Sequence, residues 1–157
     1  SAASDVYKRQ PEDNLKELKK YTTKTPEEAD IVIAYRHDIV KIYNDYMVDY
    51  LKKDVEYEYT YTKSGEEIRT LIKAEEGIPL ICIDNELREQ DIYNNFLLMS
   101  EEIDEEDLPH FKLAYSRTLF NLQGDEVRSF YIAPEDMHWF VGNRETYTLI
   151  SRLKTKE

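Results

Sequence analysis

Ala29-Asp30-Ile31-Val32-Ile33-Ala34-Tyr35 is the stretch on which the fold turns. Two readings compete for it. As helix, it continues from Thr25-Pro26-Glu27-Glu28, where Thr25 caps, Pro26 suits a first turn whose N–H is unpaired anyway, and Glu28 stands at the capping-box position. Ala29, Val32, Ile33, Ile39, Val40, Tyr43, Tyr46, Met47, Tyr50 and Leu51 then recur at steps of three and four, interrupted only by Arg36. That is the stripe of one long amphipathic helix ending near Lys53. As strand, the same β-branched run is buried, and Asp38 caps a shorter helix from Ile39. The regular phase favours the single helix, because a strand makes that phase a coincidence.

Downstream the period changes to two. Val55, Tyr57, Tyr59 and Tyr61 alternate with Glu56, Glu58, Thr60 and Thr62; Lys63-Ser64-Gly65-Glu66 supplies a turn; Ile68, Thr70 and Ile72 alternate on the return. This predicts a β-hairpin, whose tyrosine face would cover the Tyr43-Tyr46-Tyr50 stripe. Glu75-Glu76-Gly77 breaks the chain before Ile78-Pro79-Leu80-Ile81-Cys82-Ile83, an apolar strand that Pro79 confines to a start or an edge. Asp84 or Asn85 then caps a helix carrying Leu87, Ile92, Tyr93, Phe96 and Leu97 to about Ser100. An acidic hinge, Glu101-Glu102 and Asp104-Glu105-Glu106-Asp107, leads through Pro109 into a long strand, Phe111 to Leu122. Gln123-Gly124-Asp125-Glu126 turns it into Val127 to Ala133, a second hairpin. Two short strands, His138 to Val141 and Thr146 to Ile150, follow around Gly142-Asn143. The expected fold is therefore α+β: a long N-terminal amphipathic helix packed on a mostly antiparallel sheet of hairpins with one inserted helix. A single domain over 25–150 is expected, with a polar lead-in over 11–24 that forms a short helix or a frayed remnant, and a charged tail over 151–157.

The chain has 157 residues, 21 basic and 33 acidic, for a net charge of −12. Ser1 to Gln10 can be written as the codons TCG GCA GCG TCA GAT GTG TAT AAG AGA CAG, and this resembles the transposase adapter of sequencing libraries. The resemblance implies a non-native leader and a natural chain that begins further upstream. Setting aside Asp5, Lys8 and Arg9 leaves 19 basic and 32 acidic residues, a net charge of −13. Hydrophobic residues at 41% argue for a packed core rather than disorder. No stretch approaches the roughly 20 apolar residues that span a bilayer. The negative charge disfavours nucleic acid and anionic membrane as partners. The one cysteine, Cys82, sits between Ile81 and Ile83 and reads as a buried structural thiol.

Chemistry-bearing patterns are few. Asp84-Asn85-Glu86 ends the apolar strand, and in an extended chain both carboxylates face one side, where they could hold one Mg²⁺ or Mn²⁺. From Ile78 to Glu86 this resembles the Asp-x-Glu of the first strand in DnaQ-like exonucleases, although the Thr or Ser that follows in that family is absent. The competing reading makes Asp84 and Asn85 helix caps and sets Glu86 against the helix dipole. Asp136-Met137-His138 would place a carboxylate and an imidazole on one face if extended. His37 and His110 stand alone, no zinc spacing occurs, and there is no glycine-rich phosphate loop. Among 13 tyrosines the periodic ones read as core, whereas Tyr131, Trp139, Phe140 and Tyr147 read as an exposed aromatic binding patch. The leading expectation is a non-enzymatic, acidic protein-interaction or structural module that takes no cofactor and binds a protein, a basic one in its most testable version. The alternative is a divalent-metal phosphoesterase or nuclease using Asp84, Glu86, Asp136 and His138, which requires the strand ends carrying Asp84 and Asp136 to lie side by side.

Overall fold

The computed structural model describes residues 9–122 and 127–154. Most of the adapter-like leader, the expected turn at 123–126 and the end of the tail lie outside the described residues. In chain order the elements are α1 (Pro11–Tyr21), β1 (Ile31–Ala34), α2 (His37–Leu51), β2 (Val55–Lys63), β3 (Glu66–Ala74) and β4 (Pro79–Cys82). There follow β5 (Leu97–Met99), β6 (Phe111–Leu113), β7 (Ser116–Thr118), β8 (Phe130–Ile132) and α3 (Asn143–Lys154). Helix and sheet are mixed, as the sequence predicts. Among the described residues no helix is long and apolar enough to cross a membrane. The chain forms two compact units: Ser1–Tyr43 with Ser116–Glu157, and Asn44–Tyr115.

The first unit is built on a parallel sheet of order β7-β1-β8. Here the long helix over 25–53 is overturned. Pro26–Glu28 makes a single 3-10 turn, Ile31–Ala34 is a strand, and the helix proper starts at His37. All four residues of β1 are buried, as expected of a central parallel strand covered on both faces. Val32 pairs with Ser116 on one side and Tyr131 on the other. The second expected hairpin is absent for the same reason: β7 and β8 each pair with β1, in parallel. The expected strand Phe111 to Leu122 divides into β6 and β7, which belong to different units. The two expected C-terminal strands are a 3-10 turn (Pro134–Trp139) and the helix α3, in which Thr146, Leu149 and Ile150 are buried at helical spacing. Leu18, Ile31, Ile33, Phe130, Phe140 and Leu149 share one core. The fully buried Asn14 of α1 donates from Nδ2 to the Val141 carbonyl and to Asn143 Oδ1, both at 2.7 Å, and so ties α1 to the start of α3.

The second unit is antiparallel. The hairpin β2-β3 forms where expected, with Lys63 opposite Glu66 and Ser64 and Gly65 both at positive φ, 50° and 79°. That is the primed two-residue turn whose twist matches the strands. Its register slips at Glu56/Tyr57 and again at Tyr57/Thr60, which shifts the buried phase on β3 from Ile68 and Thr70 to Leu71 rather than Ile72. The tyrosines do not form a buried stripe: Tyr46, Tyr50 and Tyr59 are exposed, whereas Tyr57, beneath the Arg69 guanidinium at 4.2 Å, packs on the core of this unit. β4 sits between β5 and β6. Pro79 is its first residue, where a missing N–H is tolerated. The helix expected over 85–100 is absent, because Asp91 and Asn95 adopt left-handed backbone, φ 61° and 73°, and end the single 3-10 turn Arg88–Gln90. α2 closes in a Schellman motif, with the Lys53 N–H bonded to the Val48 carbonyl and Lys52 at φ 54°.

Candidate functional site

In the parallel unit the carboxyl ends of the three strands deliver Tyr35 and Arg36 after β1, Phe120 after β7, and the turn Pro134–Trp139 after β8. Asp136 is the anchor. It is fully buried; Oδ2 accepts the N–H groups of Tyr35 (2.8 Å) and Arg36 (3.0 Å), and Oδ1 accepts Arg36 Nε at 2.7 Å. Burial pushes the Asp136 carboxyl up, but the Arg36 N–H and guanidinium and the Tyr35 N–H outweigh it and hold the group below the usual carboxylate range. Each oxygen is thus committed to the chain itself, fixing the passage from β1 into α2. Because the segment is a 3-10 turn at about 120° per residue, Asp136 and His138 do not share a face: His138 is exposed, with its ring 4.8 Å from Trp139.

The four residues of the expected aromatic patch are placed differently from one another. Trp139, 46% exposed, stacks on Tyr35 at 5.1 Å and 12°. Phe140 points the other way and is fully buried, so it is core and not binding surface. Tyr131 is half-buried beside Tyr43 at 5.9 Å, and Tyr147 lies exposed on α3. Phe120 was not expected; it meets Tyr35 edge-on at 6.0 Å and is the most exposed large apolar side chain described, at 70%. Its neighbours Leu119 and Leu122 are buried, and nothing in its own sequence context separates it from them. A groove of about 530 Å³ lies between α1 and the 3-10 turn, walled by Leu15, Pro134, Met137 and Val141, with Glu12 and Lys19 along it.

In the antiparallel unit Asp84 and Glu86 do not form a pair of ligands. Asp84 Oδ1 accepts the Glu86 N–H at 3.0 Å and Oδ2 meets His110 Nδ1 at 2.9 Å, while the Glu86 side chain is exposed. Asn85 Oδ1 accepts the Asn94 N–H at 2.9 Å; the Asn95 N–H bonds to the Cys82 carbonyl and the Cys82 N–H to the Phe96 carbonyl, each at 2.8 Å. The helix-capping reading fails with the helix itself: Asp84 and Asn85 instead fasten a loop at its base and across its width. On its outside it carries Tyr93, Phe96 and Leu97, 45%, 43% and 39% exposed, with the two rings edge-to-face at 5.9 Å. Cys82 beneath it is buried, and burial pushes its thiol up, as suits a structural cysteine. The strand ends that carry Asp84 and Asp136 belong to different sheets: β4 pairs with β5 and β6, and β8 pairs with β1.

Charge divides unevenly. Ser1–Tyr43 with Ser116–Glu157 holds fourteen acidic and fourteen basic residues, whereas Asn44–Tyr115 holds nineteen and seven, so the antiparallel unit carries the whole net charge of −12. Within it, residues 84–107 contain ten acidic residues against Arg88 alone. Most of these are exposed. Carboxylate oxygens of Asp104, Glu106 and Asp107 come within 4.8 Å of one another. Glu101, though exposed, accepts the Gly77 N–H at 3.0 Å, the main cause that holds its carboxyl below the usual range. No protein-family model matches the chain, and no curated protein matches it in sequence.

Proposed function

We propose that the protein is a non-enzymatic interaction module whose antiparallel unit binds a basic protein partner. The observation that carries this reading is the partition of charge: a neutral unit beside one with a net charge of −12, gathered on 84–107. Self-repulsion of that size destabilises a compact unit, so its confinement to one surface segment is better accounted for by association than by solubility. Opposite charge on a partner steers encounter and weakens with salt, because exposed charges further apart than about 8–10 Å are screened at physiological ionic strength. The engaged oxygens of Asp84 and Asp136 lend no support to a shared metal.

The test is fluorescence anisotropy of the full chain with a nona-arginine peptide. Affinity should fall by about tenfold or more between about 50 mM and about 300 mM salt, as the Debye length shortens from about 14 Å to about 6 Å. A nona-glutamate peptide should not bind. Absence of nona-arginine binding at low salt, or binding indifferent to salt, overturns the proposal.

A further inference from the structure

We propose that Tyr93 and Phe96 form an apolar anchor, and that the partner is a cationic protein segment bringing a large apolar side chain of its own, not merely a polycation. This rests on the basic-partner reading above and adds a recognition element that charge alone does not supply. Single exposed apolar residues are ordinary on protein surfaces, but two exposed aromatic rings in contact offer a contiguous apolar surface. Both are more than a third exposed, and their rings are in contact.

The loop that carries them is built to hold one shape. Glu86 N–H to Asp84, Asn94 N–H to the Asn85 side chain, Asn95 N–H to Cys82, Cys82 N–H to Phe96 and Phe96 N–H to Tyr93 together leave little freedom between residues 84 and 96. Two left-handed non-glycine residues, Asp91 and Asn95, are held within it, at a cost of roughly 1 kcal/mol each. Fixing side chains before contact removes the entropy loss of ordering them on binding. Tyrosine and its aromatic neighbours are the residue types that dominate such anchors, surrounded by polar groups that exclude water. Here the anchor is flanked along the chain by exposed Glu86, Glu89 and Asp91 on one side and Glu101 and Glu102 on the other. A segment that matches both features carries lysine or arginine on either side of an apolar residue.

The experiment compares two probes of equal charge on the full chain: nona-arginine, and the same nine arginines with a Leu-Trp pair inserted at the centre. The wild type should bind the Leu-Trp probe about fivefold more tightly, the change expected when one aromatic contact worth about 1 kcal/mol is added. In Tyr93→Ser/Phe96→Ser, nona-arginine affinity should stay within about twofold while the preference disappears, and Asn85→Ala, which loosens the loop but keeps the rings, should halve the preference or more. A preference that survives the double variant, or none in the wild type, overturns the anchor and leaves the basic-partner reading standing if nona-arginine still binds in a salt-sensitive way. Failure of both probes to bind the wild type overturns both.

Discussion

The two units reach a packed core by opposite routes. The antiparallel unit is one continuous stretch, Asn44–Tyr115, whose strands follow each other and pair with near neighbours. The parallel unit is drawn from both ends of the chain: β1 pairs with β7 and β8, and every pairing spans the whole of the other unit. Parallel strands need long crossover connections where antiparallel strands need two residues, and here the stretch Asn44–Tyr115 is part of the chain that connects β1 to β7. The charge follows the same division. The parallel unit, with Asp136 and Arg36 compensating each other at its strand ends, is electrically neutral; the antiparallel unit is not. Acidity in this protein is therefore a property of one inserted unit and its 84–107 segment, not of the chain at large.

Substitutions that act on one unit alone sharpen this contrast. The largest effect is expected from Asp136→Asn. It removes charge-assisted bonds worth about 2–3 kcal/mol together, and amide exchange should accelerate in β1, β7 and β8 while the β2-β3 hairpin keeps its protection. The pH dependence has a definite sign. Asp136 is held below its unfolded value of about 3.9, so its contribution is complete above that pH and is lost as pH falls through the lower folded value. Acid unfolding of the parallel unit should show this phase in the wild type and lose it in Asp136→Asn. Equal loss of protection in both units would break the distinction drawn above.

A smaller effect is expected from Asn85→Ala, which removes one side-chain acceptor from an exposed loop. About 1 kcal/mol is at stake, read as faster exchange of the Asn94 amide, roughly fivefold, with β4 and β6 unchanged. An unaltered Asn94 amide would show that Asn85 does not hold the loop.

What the sequence made legible follows the same contrast. The hairpin over 55–74 could be read because its alternation and its Ser64-Gly65 turn are local. β1 could not, since a strand buried on both faces has no period of its own, and Ile31-Val32-Ile33-Ala34 fell by chance into phase with the helix that begins at His37. Nothing near residue 31 names its partners at 116–118 and 130–132. At 91–95 the helical spacing of the apolar residues was real, but Asp91 and Asn95 took left-handed backbone, open to short polar side chains that compete with the helix for hydrogen bonds. The C-terminal helix was readable in principle from Thr146, Leu149 and Ile150 and was obscured by the β-branched run around them. Of the candidate sites, Trp139 and Tyr147 are exposed as expected and Phe140 is not, because consecutive residues at the end of a tight turn point in different directions. The pairing of Asp84 with His110 crosses 26 positions and has no signature in either neighbourhood.

The most direct test of the account is where a cationic peptide lands. Chemical-shift mapping of the full chain with nona-arginine at low salt should show perturbed amides concentrated in residues 84–107 and none above background at Tyr35, Phe120 and Trp139. Perturbations centred on that aromatic group of the parallel unit, or spread evenly over both units, would contradict it.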